Sequence, residues 1–309
     1  MVLLPIVTEF ADARFVDLDA LVPESALAML WESQLAAVAA VGPALPAIAA
    51  AVHAAAMRLK VGGRLIYTGA GTSGRIAVQD GAELWPTFGW PEARLLLLPA
   101  GGSEALLHAI ESAEDDTAAA IALVQKHAIG GPDVVLGVAA SGSTPYTLGL
   151  LSAARKNGAL TIGIANSPGT GLLAVAEFPI LAATGAEAIA GSTRLKAGTA
   201  QKVILNLFST LLMIGLNRVY RGRMVDLEIT SAKLGRRARR MVSELAGVEA
   251  AAAEALLLAA NGSVKRALLL ARGLQPAAAQ NLLERHCGNL RTAFAELDRA
   301  EPDQAKIQQ

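Results

Sequence analysis

The sequence predicts an α/β fold, a parallel sheet flanked by helices on both faces, with a small helical C-terminal domain. Two observations carry that prediction. Short runs rich in large apolar and β-branched residues recur through the first two thirds of the chain, most of them separated by segments of helical periodicity. After about residue 220 those runs give way to Ala- and Leu-rich stretches broken by glycine.

Taken in order, residues 24–59 are Ala- and Leu-rich and interrupted near Gly42-Pro43 and Pro46, the pattern of two helices placed to cover a sheet. Strands are expected over 64–68, 94–98, 133–138, 160–165 and 178–181, with helices over 73–83, 104–126 and 145–157. The apolar run 203–216 is broken by Asn206, Ser209 and Thr210 and is shorter than the roughly 20 residues a membrane span needs, so it reads as a buried core or interface helix. Beyond it, residues 236–240 are basic, and breaks near Gly247, Asn261-Gly262 and Gly273 divide short helices. The expected organisation is an N-terminal helical segment (1–52), a sheet domain (53–220) and a C-terminal helical domain (221–309).

Composition narrows the function. The chain of 309 residues is 53% hydrophobic and carries 27 basic and 27 acidic residues, so no electrostatic footprint for nucleic acid or an anionic membrane is expected. A small neutral or anionic ligand fits better. The single cysteine, Cys287, excludes an intramolecular disulfide and a multi-cysteine metal site, and points to a reducing cytoplasm. The opening MVLLPIVTEFADAR has no basic n-region and acquires Glu9 and Asp12 early, so secretion is not expected.

In a parallel sheet, ligands bind outside the carboxyl ends of the strands. Two loops there are rich in glycine and hydroxyls: GAGTSGR, residues 69–75, and ASGSTP, residues 140–145. Each runs from an expected strand into an expected helix. Backbone N–H groups, hydroxyls and a positive helix end converge in such a loop, which suits a phosphate; helix capping by Ser or Thr is the plainer reading. Neither loop carries the dinucleotide fingerprint or a Gly-Lys-Ser/Thr motif, so NAD and ATP are disfavoured.

Among acidic residues, Glu83 stands among Leu84, Trp85, Phe88 and Trp90, a setting that would bury it and raise its pKa, as a proton donor requires. A solvated helix end is the alternative. Glu111 and Glu114, three apart on an expected helix, share a face and are continued by Asp115 and Asp116; spacing does not say which is functional. The four histidines lack ligand spacing, and no metal is expected.

Together, YTGAGTSGRIAVQDGAEL, AGGSEALLHAIESAEDD, GVAASGSTPY, GSTRLKAGTAQKVILN and MVDLEITSAKL resemble N-acetylmuramic acid 6-phosphate etherases of the sugar isomerase (SIS) group, over about residues 62–234. The resemblance implies an SIS-type three-layer αβα sandwich. It also implies a lyase that removes D-lactate from carbon 3 of the phosphorylated sugar in cell-wall recycling, with no metal or organic cofactor. The family's two catalytic glutamates fall on Glu83 and Glu114. The expected roles are acid toward the lactyl oxygen for Glu83 and base or water activator for Glu114. Ser141, Ser143 and Thr144 are expected at the phosphate, with Thr72 and Ser73 at the sugar or phosphate. Lys196 either reaches the site of a partner subunit in a homodimer or is an exposed helix lysine. The chain departs from the family pattern at Leu84-Trp85, at Ser103 and at Ser143, where an arginine is common. The competing readings are a phosphosugar aldose-ketose isomerase and a non-catalytic sugar-phosphate regulator.

Overall fold

The computed structural model describes residues 7–307. The outermost ends of the expected N- and C-terminal regions, including the first six residues weighed for a leader, lie outside the described residues. The chain runs α1 (Pro23–Ala39), α2 (Leu45–Lys60), β1 (Leu65–Gly69), α3 (Gly71–Ala82), α4 (Leu84–Phe88) and β2 (Leu95–Pro99). It continues through α5 (Thr117–Lys126), β3 (Val134–Val138), α6 (Pro145–Lys156), β4 (Leu160–Ala165), α7 (Gly171–Val175), β5 (Phe178–Leu181) and α8 (Lys196–Gly215). Last come the hairpin β6 (Val219–Tyr220) and β7 (Arg223–Met224), then α9 (Ala232–Ala246), α10 (Ala250–Ala259), α11 (Val264–Leu270), α12 (Pro276–Arg285) and α13 (Leu290–Ile307).

The five long strands form one sheet in the order β2-β1-β3-β4-β5, all parallel. Residues of β1, β3 and β4 are buried throughout, which is why they read as unbroken apolar runs. On one face Ile66 and Val135 join Ala120 and Val124 of α5, Leu150 and Leu151 of α6, and Leu172 of α7 in a single apolar cluster. The opposite face carries α3, whose Gly81 lies against Tyr67 and Leu97. Helix α2 crosses β3, β4 and β5 and buries Ile48, Ala51, Val52, Ala55, Ala56 and Leu59, the three-and-four spacing of one helix face.

Helix α8 contains the apolar run read as a core helix. By length and composition it could cross a membrane, as could residues 23–60, but Ile204, Leu205, Phe208 and Leu212 are wholly buried. Its polar residues have a use. Asn206 Nδ2 (2.7 Å) and Ser209 Oγ (3.2 Å) donate to Asp80 Oδ1, and Tyr67 OH donates to Asp80 Oδ2 at 3.1 Å. Burial pushes the Asp80 carboxyl up, and these three donors partly pull it back.

The chain divides into two compact units, one running to Ala82 and from Glu92 to Leu212, the other comprising Glu83–Pro91 and the described residues from Met213. This differs from boundaries at 52 and 220: the N-terminal helices belong with the sheet, and a nine-residue piece around α4 belongs with the C-terminal helices. Inside the second unit, Arg218 donates to the carbonyls of Phe88 and Gly89 and lies over the Trp90 ring. A partly buried Lys265–Asp226 ion pair at 2.6 Å stands beside an apolar cluster built from α9 to α13.

The continuous helix expected over 104–126 is not formed. A short 3₁₀ turn spans Ser103–Leu106, turns follow, and α5 begins only at Thr117. Asp116 accepts from Ala119 N at 2.8 Å, so a cap starts a new helix where the acidic run had suggested the middle of one. Glu111 and Glu114 therefore lie on turns and share no helix face.

Asp133, just before β3, binds Arg64 through Nη2 (2.7 Å) and Nε (3.0 Å) and also accepts from the amides of Arg64 and Gly130. Burial pushes this carboxyl up, but the four donors outweigh it and hold the group below the usual aspartate range. Asp133→Asn is expected to cost about 2–3 kcal/mol in urea unfolding at neutral pH. Because the folded carboxyl titrates below its unfolded value, the contribution is intact above about pH 4 and is lost as pH falls through the folded value, so the gap between wild type and variant should close in acid.

Candidate active site

β1 and β3 are neighbours in the sheet, yet the chain visits β2 between them. The loops leaving their carboxyl ends diverge, and a cavity of about 400 Å³ opens between them. One wall is residues 70–73 and another is 140–145; Glu114 and Asp115 contribute from the turns before α5, and Glu9, Gly191 and Thr193 from two further segments. All five hydroxyl residues expected at the ligand, Thr72, Ser73, Ser141, Ser143 and Thr144, are in this lining.

The local geometry answers the capping alternative for the second loop. Thr144 occupies the N-cap position of α6 but makes no side-chain cap bond, and Pro145 supplies the first helical residue. Ser143 turns inward on the loop, its amide (3.2 Å) and hydroxyl (3.0 Å) both donating to Ser141 Oγ. Gly142 sits at φ +65, where a Cβ would stand 2.1 Å from Thr170 Oγ1, so only glycine allows this turn. In the first loop the start of α3 lies so close to β1 that a Cβ on Gly74 would stand 2.6 Å from the Gly69 carbonyl oxygen. The first N–H groups of α3 and α6, which have no intrahelical partners, thus begin beside the cavity.

The acidic run is sorted by position. Tyr146 N donates to the Glu114 carbonyl at 2.9 Å, tying that turn to the start of α6. Glu114 and Asp115 line the cavity, Asp116 caps α5, and Glu111 is exposed outside the lining. A cavity with convergent hydroxyls, two helix starts and carboxylates can hold a phosphorylated sugar and move a proton on it.

A family model described as the glucokinase regulatory protein N-terminal SIS domain matches residues 47–155. A protein of Deinococcus radiodurans named N-acetylmuramic acid 6-phosphate etherase is 49% identical over 290 residues, covering 94% of this chain and 95% of its own. This chain belongs to the N-acetylmuramic acid 6-phosphate etherase family. A protein of the same name from Halalkalibacterium halodurans is 44% identical over 292 residues, covering 94% of this chain and 98% of its own. A solved phosphoheptose isomerase from Francisella tularensis is 20% identical, with a TM-score of 0.49 over 63% of this chain and 100% of that one.

In this etherase family member Glu83 takes the solvated helix-end alternative, and Lys196 departs from the exposed-lysine one. Glu83, at the N-cap position of α4, is exposed and makes no cap bond, so its aromatic neighbours do not bury it within the chain. Lys196 is no exposed lysine: it is 3% exposed as the first residue of α8 and is absent from the cavity lining. Burial draws the Lys196 ammonium down, while the charges of Glu187 and Asp12 draw it up. Glu9, Asp115, Gly191 and Thr193 of the lining were missed. Only long-range packing brings residues 9 and 191 to the ends of β1 and β3.

The segment carrying Gly191 and Thr193 is fixed by Glu187. This wholly buried carboxylate accepts from Lys196 N at 2.8 Å and Ala197 N at 2.9 Å, capping α8 from outside the helix. Glu187→Ala is expected to lower stability by about 2–4 kcal/mol, because two charge-assisted bonds are lost and the Lys196 ammonium is left without its buried counter-charge. A thermal unfolding midpoint equal to that of wild type would contradict this account of the loop.

Proposed function

We propose that this chain cleaves the D-lactyl ether of N-acetylmuramic acid 6-phosphate, giving N-acetylglucosamine 6-phosphate and D-lactate. The observation that carries the reading is the cavity at the ends of β1 and β3, in which five hydroxyl residues and Glu114 converge. In the open-chain aldehyde the hydrogen on carbon 2 is acidified by the neighbouring carbonyl. A base removes it, the bond from carbon 3 to the lactyl oxygen breaks with its electron pair on oxygen, and an acid protonates that oxygen as lactate leaves. Water then adds at carbon 3 of the unsaturated aldehyde while a proton returns to carbon 2.

Glu114 is assigned as the base on carbon 2 and the activator of water, supported by its place in the wall. Glu83 is assigned as the acid toward the lactyl oxygen, supported by the match of the DGAEL segment to the family and not by burial. Ser141, Ser143 and Thr144 are assigned to the phosphate with the start of α6, and Thr72 and Ser73 to the sugar or phosphate beside α3. Lys196 is left out of the substrate contacts of its own chain.

The reading includes a homodimer in the cytoplasm. What supports the dimer is apolar surface: Leu27, Trp31, Leu35 and Val38 form a stripe along α1 at 47–65% exposure, and Leu207, Leu211 and Ile214 form another along α8. The cytoplasm suits a phosphorylated sugar and the single Cys287.

Incubation with N-acetylmuramic acid 6-phosphate should release D-lactate, and Glu114→Gln should lower kcat by about 10²–10⁴-fold with a smaller change in KM. Interconversion of aldose and ketose phosphates without lactate would establish an isomerase instead. Trp31→Glu should shift the protein to monomer in sedimentation; a dimer unaffected by that charge would remove α1 from the interface.

A further inference from the structure

Glu9 reaches the cavity from a segment more than sixty residues before any other part of its wall, and it is held there by specific contacts. The Thr8 carbonyl accepts from Gly191 N at 3.1 Å, and Ala11 pairs with Glu187 in a one-residue parallel bridge. Glu187 is itself pinned by the first amides of α8. Opposite the Glu9 carboxylate the loop has no side chain: a Cβ on Gly191, at φ +73, would stand 3.1 Å from Glu9 Oε2. Yet the carboxylate these contacts bring to the cavity makes no hydrogen bond or ion pair with another described residue.

A carboxylate accepts hydrogen bonds and donates none. With Glu114 and Asp115 in the same lining and no lysine, arginine or histidine among the described lining residues, a third negative charge opposes the phosphate and the lactyl carboxylate. What such a group can bind is a neutral donor. On the open-chain substrate of the proposed reaction these are foremost the hydroxyls on carbons 4 and 5. Resting on that reading, we propose that Glu9 is a specificity-determining residue that accepts a hydrogen bond from one of these hydroxyls and selects a hydroxylated sugar chain. A site built to bind a hydroxyl discriminates strongly against the analogue that lacks it, because its own acceptor is then left unpaired.

The test measures D-lactate release by wild type, Glu9→Ala and Glu9→Gln from N-acetylmuramic acid 6-phosphate and from its 4-deoxy and 5-deoxy analogues, with thermal unfolding as a check on folding. Glu9→Ala should lower kcat/KM about 30-fold or more on the parent substrate but less than about threefold on the analogue that lacks the hydroxyl bound by Glu9, with Glu9→Gln between the two on the parent substrate. Parent activity within about threefold of wild type, or equal losses on all three substrates, would overturn the assignment. A wild type that releases lactate and loses it on Glu114→Gln, with Glu9→Ala unaffected, leaves the etherase reading standing and Glu9 without this role. A wild type that releases no lactate ends both.

Discussion

The candidate site depends on one topological constraint. Right-handed crossovers in a parallel sheet send the chain from β1 outward to β2 through α3 on one face, then back past β1 to β3 through α5 on the other. The loops that follow β1 and β3 therefore leave in opposite directions although the strands touch. A crevice between them is unavoidable, and two helices begin at its edges. No special loop has to be folded to make room for a ligand; short residues at 70–73 and 140–145 only have to refrain from filling it.

Two contrasting kinds of carboxylate stand out in the sheet-bearing unit. Asp80, Asp133 and Glu187 are buried, and each is held by two or more donors that join separate elements: α3 to β1 and α8, β3 to the residue before β1, and the 187–193 segment to α8. Glu9, Glu114 and Asp115 line the cavity, and no donor among the described residues is bound to their carboxylates. The first kind spends its charge on joining elements. The second keeps its lone pairs for whatever enters, and it stays in place because the first kind fixes the backbone around it.

Much of the fold is legible in the sequence because both faces of the sheet are covered. Strands buried on both sides must be unbroken apolar runs, and β4 and β5 are found at the residues expected, with β1 to β3 within one residue. The helix expected over 104–126 fails for a local reason: apolar spacing continues through the segment, but the side chain of Asp116 satisfies an amide that an intact helix would already use. The two glycine- and hydroxyl-rich loops of the cavity are legible because each lies between an apolar strand run and a helical one. Burial is less so. Aromatic neighbours in sequence do not enclose Glu83, and a charged side chain in a helical string, Lys196, is buried at the start of α8, where the charge of Glu187 opposes the cost of burial. Glu9 belongs to the same class, since its position is set by residues about 180 places away.

The absence of a basic side chain from the described lining has a consequence for the tempo of binding. On the proposed reading, a phosphate dianion approaching this mouth meets carboxylates and neutral dipoles, so its encounter is not accelerated by attraction at a distance, as it is in clefts lined with lysine and arginine. Capture depends instead on short-range amide and hydroxyl contacts that form only after arrival. Such a site exchanges its anion at a pace set by supply, and a departing anionic product meets repulsion rather than a trap.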